Sequence, residues 1–337
     1  MWLVSLCVTL YNCNVTRQLK IGVVMGGPSS EHEISLLTGR NVLRGLVEAG
    51  HDAHPVYIAH SGNWFLGEKR GVAYDPTHVC GKFDVMFNAT HGEFGEDGRL
   101  QQIFERCNVP YTGSGVAASA LAWNKTVSCD VFKNAGLVVP RAVVIYKNSF
   151  DPPHHLKEVH WMSAAPWVVK PAACGSSVGV SIAYSFPELE RSIAHAFSYG
   201  NAVRVEEHIN GREITCGVLE DFNGEKYHAL HPIEIIPPEG RFFDYQVKYD
   251  GSTKEIPAPF FGEMLRHVEH VAVTAHKALG CRHYSRTDMI IKKNKIYVLE
   301  TNTLPGLTAE SLFPKAASWA KLDFPRLCEH IVQLALS

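Results

Sequence analysis

The sequence has no C-x-x-C pair, although it holds nine cysteines. An odd, scattered set of cysteines suits reduced thiols in a cytoplasm better than a disulfide framework or a zinc site. Neither charge is in excess: 32 Lys and Arg stand against 34 Asp and Glu, a formal net charge of −2. That balance excludes the basic footprint of a nucleic-acid partner and the charge block of a tail. There are 18 histidines but no H-E-x-x-H. The dinucleotide fingerprint G-x-G-x-x-G and the P-loop order G-x-x-x-x-G-K-[ST] are also missing. No apolar run reaches transmembrane length, so no membrane is expected as a partner. The first stretch, MWLVSLCVTLYNCNV, is too short to span a bilayer and has neither basic flank nor cleavage site. It reads as an extension outside the core, residues 1–19. No internal repeat or low-complexity tract breaks the chain. With 337 residues, two or three domains and a large core are expected.

What is present centres on Ser285 to Leu312. Two apolar strands, Asp288 to Lys292 and Ile296 to Glu300, flank a short turn. Asp288, Glu300 and Asn302 are polar where an apolar hairpin has no use for them. Side chains alternate faces along a strand, so Glu300 shares a face with Asn302, and Arg286 with Asp288. The turn decides whether the two pairs meet. A two-residue loop sets Asp288 opposite Leu299 and leaves Glu300 on the other face. A three-residue loop, Lys293-Asn294-Lys295, sets Asp288 opposite Glu300. The longer loop is the expectation, since Asn294 can take the left-handed conformation it uses. Two carboxylates and an amide oxygen on one face form a hard-cation site, and Mg²⁺ usually shares such a site with phosphate. The alternative, a solvated surface hairpin, is disfavoured by two strands apolar enough to be buried.

Upstream, Leu19 to Met25 is a buried-strand run ending in Gly26-Gly27. Ser29-Ser30 supply an N-cap, and Glu31 opens a helix to about Ala49. With a strand at His54 to Ile58 this is a βαβ opening, hence an α/β layer. On local evidence Glu31 serves equally well as a helix cap or as a functional carboxylate. Asp84 to Asn88 runs into a glycine-rich loop containing His91, at the strand edge where open parallel sheets bind ligands. Helices follow from Val116 to Gly136, then an α+β unit with strands at Ala142 to Ile145 and Trp167 to Lys170. Pro152 to His155 reads as a surface loop. Lys170 ends a strand before the small-residue loop Pro171 to Val180, which suits phosphate, although a plain hairpin loop fits as well. Strands are expected at Ala202 to His208, Arg212 to Leu219 and Lys226 to Ile235. Pro237 to Pro257 is polar and aromatic, with little to anchor it, and is expected to be a lid. Helices close the chain at Phe260 to Leu279 and Leu322 to Leu336.

The stretches GGPSSEHEIS, HGEFGEDGRLQ, YTGSGVAASALAWNK, VKPAACGSSVGVS, VEEHINGREIT, FFDYQVKY and SRTD…VLETNTLPGLTAESL occur in this order. Over residues 20 to 335 the chain thereby resembles the D-alanine–D-alanine ligases of the ATP-grasp superfamily. The resemblance implies a three-domain α/β and α+β architecture: an N-terminal open parallel α/β sheet at 20–115, then ATP-grasp domains at 116–208 and 209–337. It implies ATP as substrate, two Mg²⁺ ions replaceable by Mn²⁺, D-alanine as the amino-acid substrate, and a homodimer. Asp288, Glu300 and Asn302 match the family's metal ligands. Lys125, Lys170 and Lys248 match its phosphate contacts, Glu206 and Glu213 its adenosine contacts, and Glu207, His208 and Ile209 supply backbone to the adenine. Glu31 would pair with the first ammonium, in a network with Ser176 and Tyr249, with His91 close by. Arg286 and the Gly306 N–H would face the oxyanion, and Ser311 and the Leu312 N–H the second carboxylate. Tyr249 beside Lys248 accompanies dipeptide rather than ester synthesis in the family. The chain departs from the pattern at Ala173-Cys174, where an arginine or other polar residue is common, and at Thr301 and Leu304, where Ala and Ser are commoner.

Overall fold

The computed structural model describes residues 17–67, 71–175, 178–238 and 253–337. Ser176, Lys248, Tyr249, most of the expected lid and residues 1–16 lie outside the described residues. The fold is mixed α/β, built on three sheets. The first contains β1 (Lys20–Gly26), β2 (Asp52–Ile58), β3 (Trp64–Leu66) and β4 (Val85–Asn88) in the order β3-β2-β1-β4. β1 is parallel to β2 and β4, and the short edge strand β3 is antiparallel to β2. β1 lies inside the layer, which is why it is apolar at nearly every position rather than at alternate ones. The helices of this unit are α1 (His32–Glu48), α2 (Pro76–Cys80) and α3 (Arg99–Arg106). The N-cap of α1 is Glu31, not the expected Ser29-Ser30, and no side chain caps it. Ser29 Oγ instead accepts from the Glu31 N–H at 3.0 Å. Ser35 Oγ accepts from the Gly26 N–H and donates to the Ala89 carbonyl, tying α1 to the ends of β1 and β4.

Two helices, α4 (Val116–Trp123) and α5 (Lys125–Asn134), lead to the second sheet. It contains β5 (Ala142–Tyr146), β6 (Trp167–Pro171), β7 (Ser181–Ala183) and β8 (Ala202–Glu207), antiparallel throughout in the order β5-β8-β6-β7. Its cover helices are α6 (Pro152–Met162) and α7 (Phe186–Ala196). The expected loop at Pro152 to His155 is therefore the first turn of a helix. Proline is tolerated there because the first helical N–H groups have no intrahelical acceptor, and its fixed φ already suits a helix.

The third sheet contains β9 (Arg212–Phe222), β10 (Glu225–Ala229), β11 (Ile233–Ile236), β12 (Lys254–Pro257), β13 (Tyr284–Lys292) and β14 (Lys295–Asn302). Its order is β12-β11-β9-β13-β14, with β10 also on β9. The single strand expected at Lys226 to Ile235 is two, parted at Leu230 to Pro232. One face packs Ile214, Cys216, Met289 and Val298 against Val268 and Ala272 of α8 (Gly262–Ala278). Full burial of a valine, isoleucine or methionine side chain in this set stabilises by about 1.5–3 kcal/mol. The other face carries Glu213, Thr215, Arg286, Asp288, Glu300 and Asn302 to the cleft. The last helices are α9 (Leu312–Trp319) and α10 (Phe324–Leu336). α10 returns to the first unit, where Leu327, Ile331 and Val332 share a core with Leu36, Val42 and Leu46 of α1. The seven described cysteines are free. Among the described residues no helix is long and apolar enough to cross a membrane.

The first and third units are joined at a buried corner. The Gly113 N–H donates to His283 Nδ1 at 3.0 Å, and Arg282 Nε donates to the Gly113 carbonyl at 2.9 Å. The His283 N–H donates to Glu220 Oε2 at 2.8 Å. Burial first, then the Arg282 charge, pushes the His283 imidazole down from 6.5 to about 4. Between those two pH values the unfolded chain binds a proton that the folded chain refuses. Stability is therefore lost as pH falls through that window, by on the order of 3 kcal/mol. His283 has a φ of 67°, a conformation asparagine tolerates. Asparagine also supplies an acceptor oxygen but does not titrate. Thermal melts at pH 7 and pH 4 should show a smaller loss for His283→Asn than for the wild type; parallel losses would remove His283 as the cause.

Candidate active site

The hairpin at the centre of the cleft is not closed as its spacing suggests. Lys292 pairs with Lys295, leaving a two-residue loop, Lys293-Asn294, with φ of 49° and 62°. Positive φ at both positions is what the right-handed twist of a tight hairpin demands. Simple continuation would set Asp288 opposite Leu299. The pairing instead runs Met289 to Val298 and then Asp288 to Glu300, with a register shift between Asp288 and Met289. Leu299 is the extra residue of a β-bulge. The buried residues of β14 are accordingly Ile296, Val298 and Thr301, with the step lengthened by one across the bulge. Leu299 and Glu300 both face the cleft, and Asp288, Glu300 and Asn302 share one face. The expected three-residue loop is corrected; the bulge produces the juxtaposition that the loop was expected to produce.

Each hairpin carboxylate is held by a cation. Arg286 donates from Nε to Asp288 Oδ1 at 3.0 Å and from Nη2 to Oδ2 at 2.9 Å. Thr215 Oγ1 donates to Asp288 Oδ1 at 2.6 Å, and Asn302 Nδ2 to Oδ2 at 3.1 Å. Lys125 Nζ lies 2.9 Å from Glu300 Oε2 and donates to the Cys174 carbonyl at 2.7 Å. Burial alone would push Arg286 and Lys125 toward neutrality; Asp288 and Glu300 outweigh it and hold both pKa values above their ordinary ranges. Among the described residues no three His, Cys, Asp or Glu side chains cluster. The donor set is instead two carboxylates and an amide, all oxygen ligands, which fits Mg²⁺ rather than zinc.

On one side of the hairpin lies a cavity of about 460 Å³, walled by Val168, Val180, Ile209, Ile290 and Leu299. Lys170, Glu206 and Glu213 also line it. Glu206 is almost fully buried, and its Oε1 takes both Lys170 Nζ at 2.9 Å and Arg204 Nε at 2.6 Å. Glu207 accepts from the Arg141 backbone N–H at 3.0 Å and from its guanidinium at 2.8 and 3.1 Å. Burial would raise the Glu207 carboxyl, but the Arg141 contacts outweigh it and hold it below its usual range. Burial, aided by the Lys292 charge, lowers the His208 imidazole. His208 and Ile209 follow the end of β8 and bring backbone to the cavity wall.

On the other side is a cavity of about 690 Å³, lined by Glu31, His91, Arg286, Gly306, Ser311 and Leu312. His91 Nε2 lies 2.8 Å from Thr38 Oγ1, and its Nδ1 3.6 Å from Glu96 Oε1. Two glycines, Gly92 and Gly175, close on the Glu31 carboxylate: a Cβ on either would stand within 2.6 Å of Oε2. Lys125, Cys174, Asp288 and Glu300 line both cavities. The hairpin thus stands where the two meet. The structure brings all sixteen described candidate positions to these two cavities from all three units, whereas Ser176, Lys248 and Tyr249 are outside the described residues. Sequence reading missed Thr215, Arg204, Thr38 and Arg141. Thr215 and Arg204 could have been found by strand alternation, two residues from Glu213 and Glu206; the other two carry no such signal.

A family described as "D-ala D-ala ligase C-terminus" matches residues 131–333, and one described as "D-ala D-ala ligase N-terminus" matches residues 20–78 and 68–114. The chain is similar to D-alanine–D-alanine ligases of Syntrophobacter fumaroxidans (38% identical; 95% of this chain, 99% of that one) and Geobacter sulfurreducens (41%; 94% of each). Among solved structures it is similar to the VanG D-Ala:D-Ser ligase of Enterococcus faecalis, with a TM-score of 0.83 and 31% identity over 95% of this chain and 100% of that one. It is also similar to the D-alanine–D-alanine ligase of Bacillus anthracis complexed with ATP, with a TM-score of 0.78 and 28% identity over 94% and 97%.

Proposed function

The chain belongs to the D-alanine–D-alanine ligase family, and from that premise we propose that it joins two D-alanines, at the expense of ATP, into the dipeptide used for peptidoglycan precursors. The observation that carries the reading is the pair of cavities meeting at Lys125, Asp288 and Glu300. A phosphoryl group in the smaller cavity and a carboxylate in the larger one meet at that wall.

ATP takes the smaller cavity, its adenine between apolar walls beside the backbone of 207–209. Glu213 and the buried Glu206 complete the adenosine side. Lys170, Lys125 and Lys248 draw in the phosphates. Asp288, Glu300 and Asn302 would hold Mg²⁺, two ions with Mn²⁺ as a substitute, which neutralises phosphate charge when bound. The first D-alanine carboxylate attacks the γ-phosphorus; the bond to ADP breaks, and an acyl phosphate forms. The second amine then attacks the acyl carbon, and inorganic phosphate leaves. Glu31 pairs with the first ammonium, with Ser176, Tyr249 and His91 around it. Arg286 and the Gly306 N–H take up charge on the tetrahedral oxygen. Ser311 and the Leu312 N–H receive the second carboxylate. We assign the units to residues 20–115, 116–208 and 209–337, the location to the cytoplasm, and the assembly to a homodimer.

The VanG neighbour makes D-serine the acceptor to compare. With ATP and equal D-alanine, D-serine and D-lactate at neutral pH, D-alanyl-D-alanine is the main product expected by mass spectrometry. A main product ending in D-serine or D-lactate would move the chain to the corresponding ligase activity.

A further inference from the structure

We propose that Asn41 is a positioning residue that sets the acceptor half of the site against the donor half. The inference rests on the ligase reading above and adds a residue to it. α1 starts beside Glu31 and runs along the larger cavity, which Ile34, Leu37, Arg40 and Asn41 also line. Thr38 and Asn41 stand one turn apart, about 4.5 Å along the axis. They reach two different loops. Thr38 holds His91, on the donor side, at 2.8 Å. Asn41 Nδ2 donates to the Leu307 carbonyl at 2.7 Å, across 266 residues of chain.

Leu307 lies between the two groups assigned to the second substrate's chemistry. Gly306 precedes it, and Ser311 closes the same loop. The Thr308 N–H donates to Ser311 Oγ at 3.0 Å, and the two hydroxyls lie 2.8 Å apart. A Cβ on Gly306 would stand 2.7 Å from Ser311 Oγ. The loop is thus folded on itself as one piece, and its apolar side is sunk in the core through Leu304 and Leu307. Asn41 holds its polar side to α1. The amide cannot turn over freely: Asn41 Oδ1 accepts from Arg44 Nη2 at 2.5 Å, which leaves the NH₂ group facing Leu307. One rigid helix therefore gauges the distance between the ammonium subsite and the loop that presents the oxyanion N–H and the acceptor hydroxyl. A shift of about 1 Å at such a place costs up to about 10²-fold in rate.

The test compares Asn41→Leu and Asn41→Asp with the wild type. The leucine removes the donor; the aspartate keeps the shape and the Arg44 contact but turns an oxygen toward the Leu307 carbonyl. Dipeptide formation is followed against D-alanine concentration, which resolves the donor and acceptor constants, and against ATP. Melting temperature is measured alongside, and amide hydrogen exchange over residues 304–311. The acceptor KM should rise about tenfold or more in both variants. The donor and ATP constants should stay within about threefold, and exchange in 304–311 should quicken. Acceptor KM unchanged in both folded variants, or all three constants rising together, would overturn the assignment while leaving the ligase reading in place. A wild type that forms no dipeptide would overturn both.

Discussion

Replacing Glu300 with Gln is expected to lower turnover by about 10²–10³-fold while the protein stays folded. Glu300 is one of two carboxylates at the wall between the cavities, and it contacts Lys125 at 2.9 Å. Glutamine keeps the volume, and its carbonyl oxygen still accepts from Lys125. What is lost is one negative charge from the set proposed to hold the metal. The side chain is 26% exposed, so the stability change should stay on the order of 1 kcal/mol. ATP-site occupancy can be read separately, by protection from thermal unfolding with Mg-ATP. Turnover within about tenfold of wild type would remove Glu300 from the site. A collapsed melting temperature would make it a structural residue instead.

Arg286→Met is the second large effect, also about 10²–10³-fold in kcat. The arginine is fixed by its two-point contact with Asp288, which aims the remaining donor surface into the larger cavity. Methionine fills the space and removes both the charge and the fork. Asp288 would keep Thr215 and Asn302 as donors, so the hairpin should persist. Arg286→Lys restores the charge but not the planar fork, and should remain well below wild type. If kcat of the lysine variant matches wild type, a point charge suffices and the directional role fails. If the methionine variant matches it, no oxyanion role remains.

The site residues are legible because they break local rules. Asp288, Glu300 and Asn302 are polar in strands that are otherwise apolar, and Lys170 ends a buried strand before a small-residue loop. The mechanism that aligns Asp288 with Glu300 is not legible. A bulge at Leu299 shifts the buried phase from Val298 to Thr301, and because Thr301 is polar the slip leaves no mark in the hydrophobic pattern. Helix starts suffer similarly. Pro152-Pro153 reads as a loop breaker, yet only its position at the first turn decides its effect. Long-range partners are invisible for a different reason. The apolar stripe of α10 shows that the helix is buried, but not that it is buried against α1, some 290 residues earlier. The bond from Asn41 to Leu307 belongs to the same class. Such contacts follow from how the units pack, not from any local periodicity.

The central claim is phosphoryl transfer to a D-alanine carboxylate at the wall between the cavities, followed by attack of a second amine. It is tested most directly with D-alanine carrying ¹⁸O in both carboxylate oxygens, incubated with the purified chain, ATP and Mg²⁺. An acyl phosphate passes one carboxylate oxygen to the phosphate that leaves. Mass spectrometry should therefore find one ¹⁸O in each released phosphate, one retained in the new peptide carbonyl, and phosphate matching D-alanyl-D-alanine mole for mole. Phosphate release that is unlabelled, or that proceeds without D-alanine and yields no dipeptide, would contradict the account.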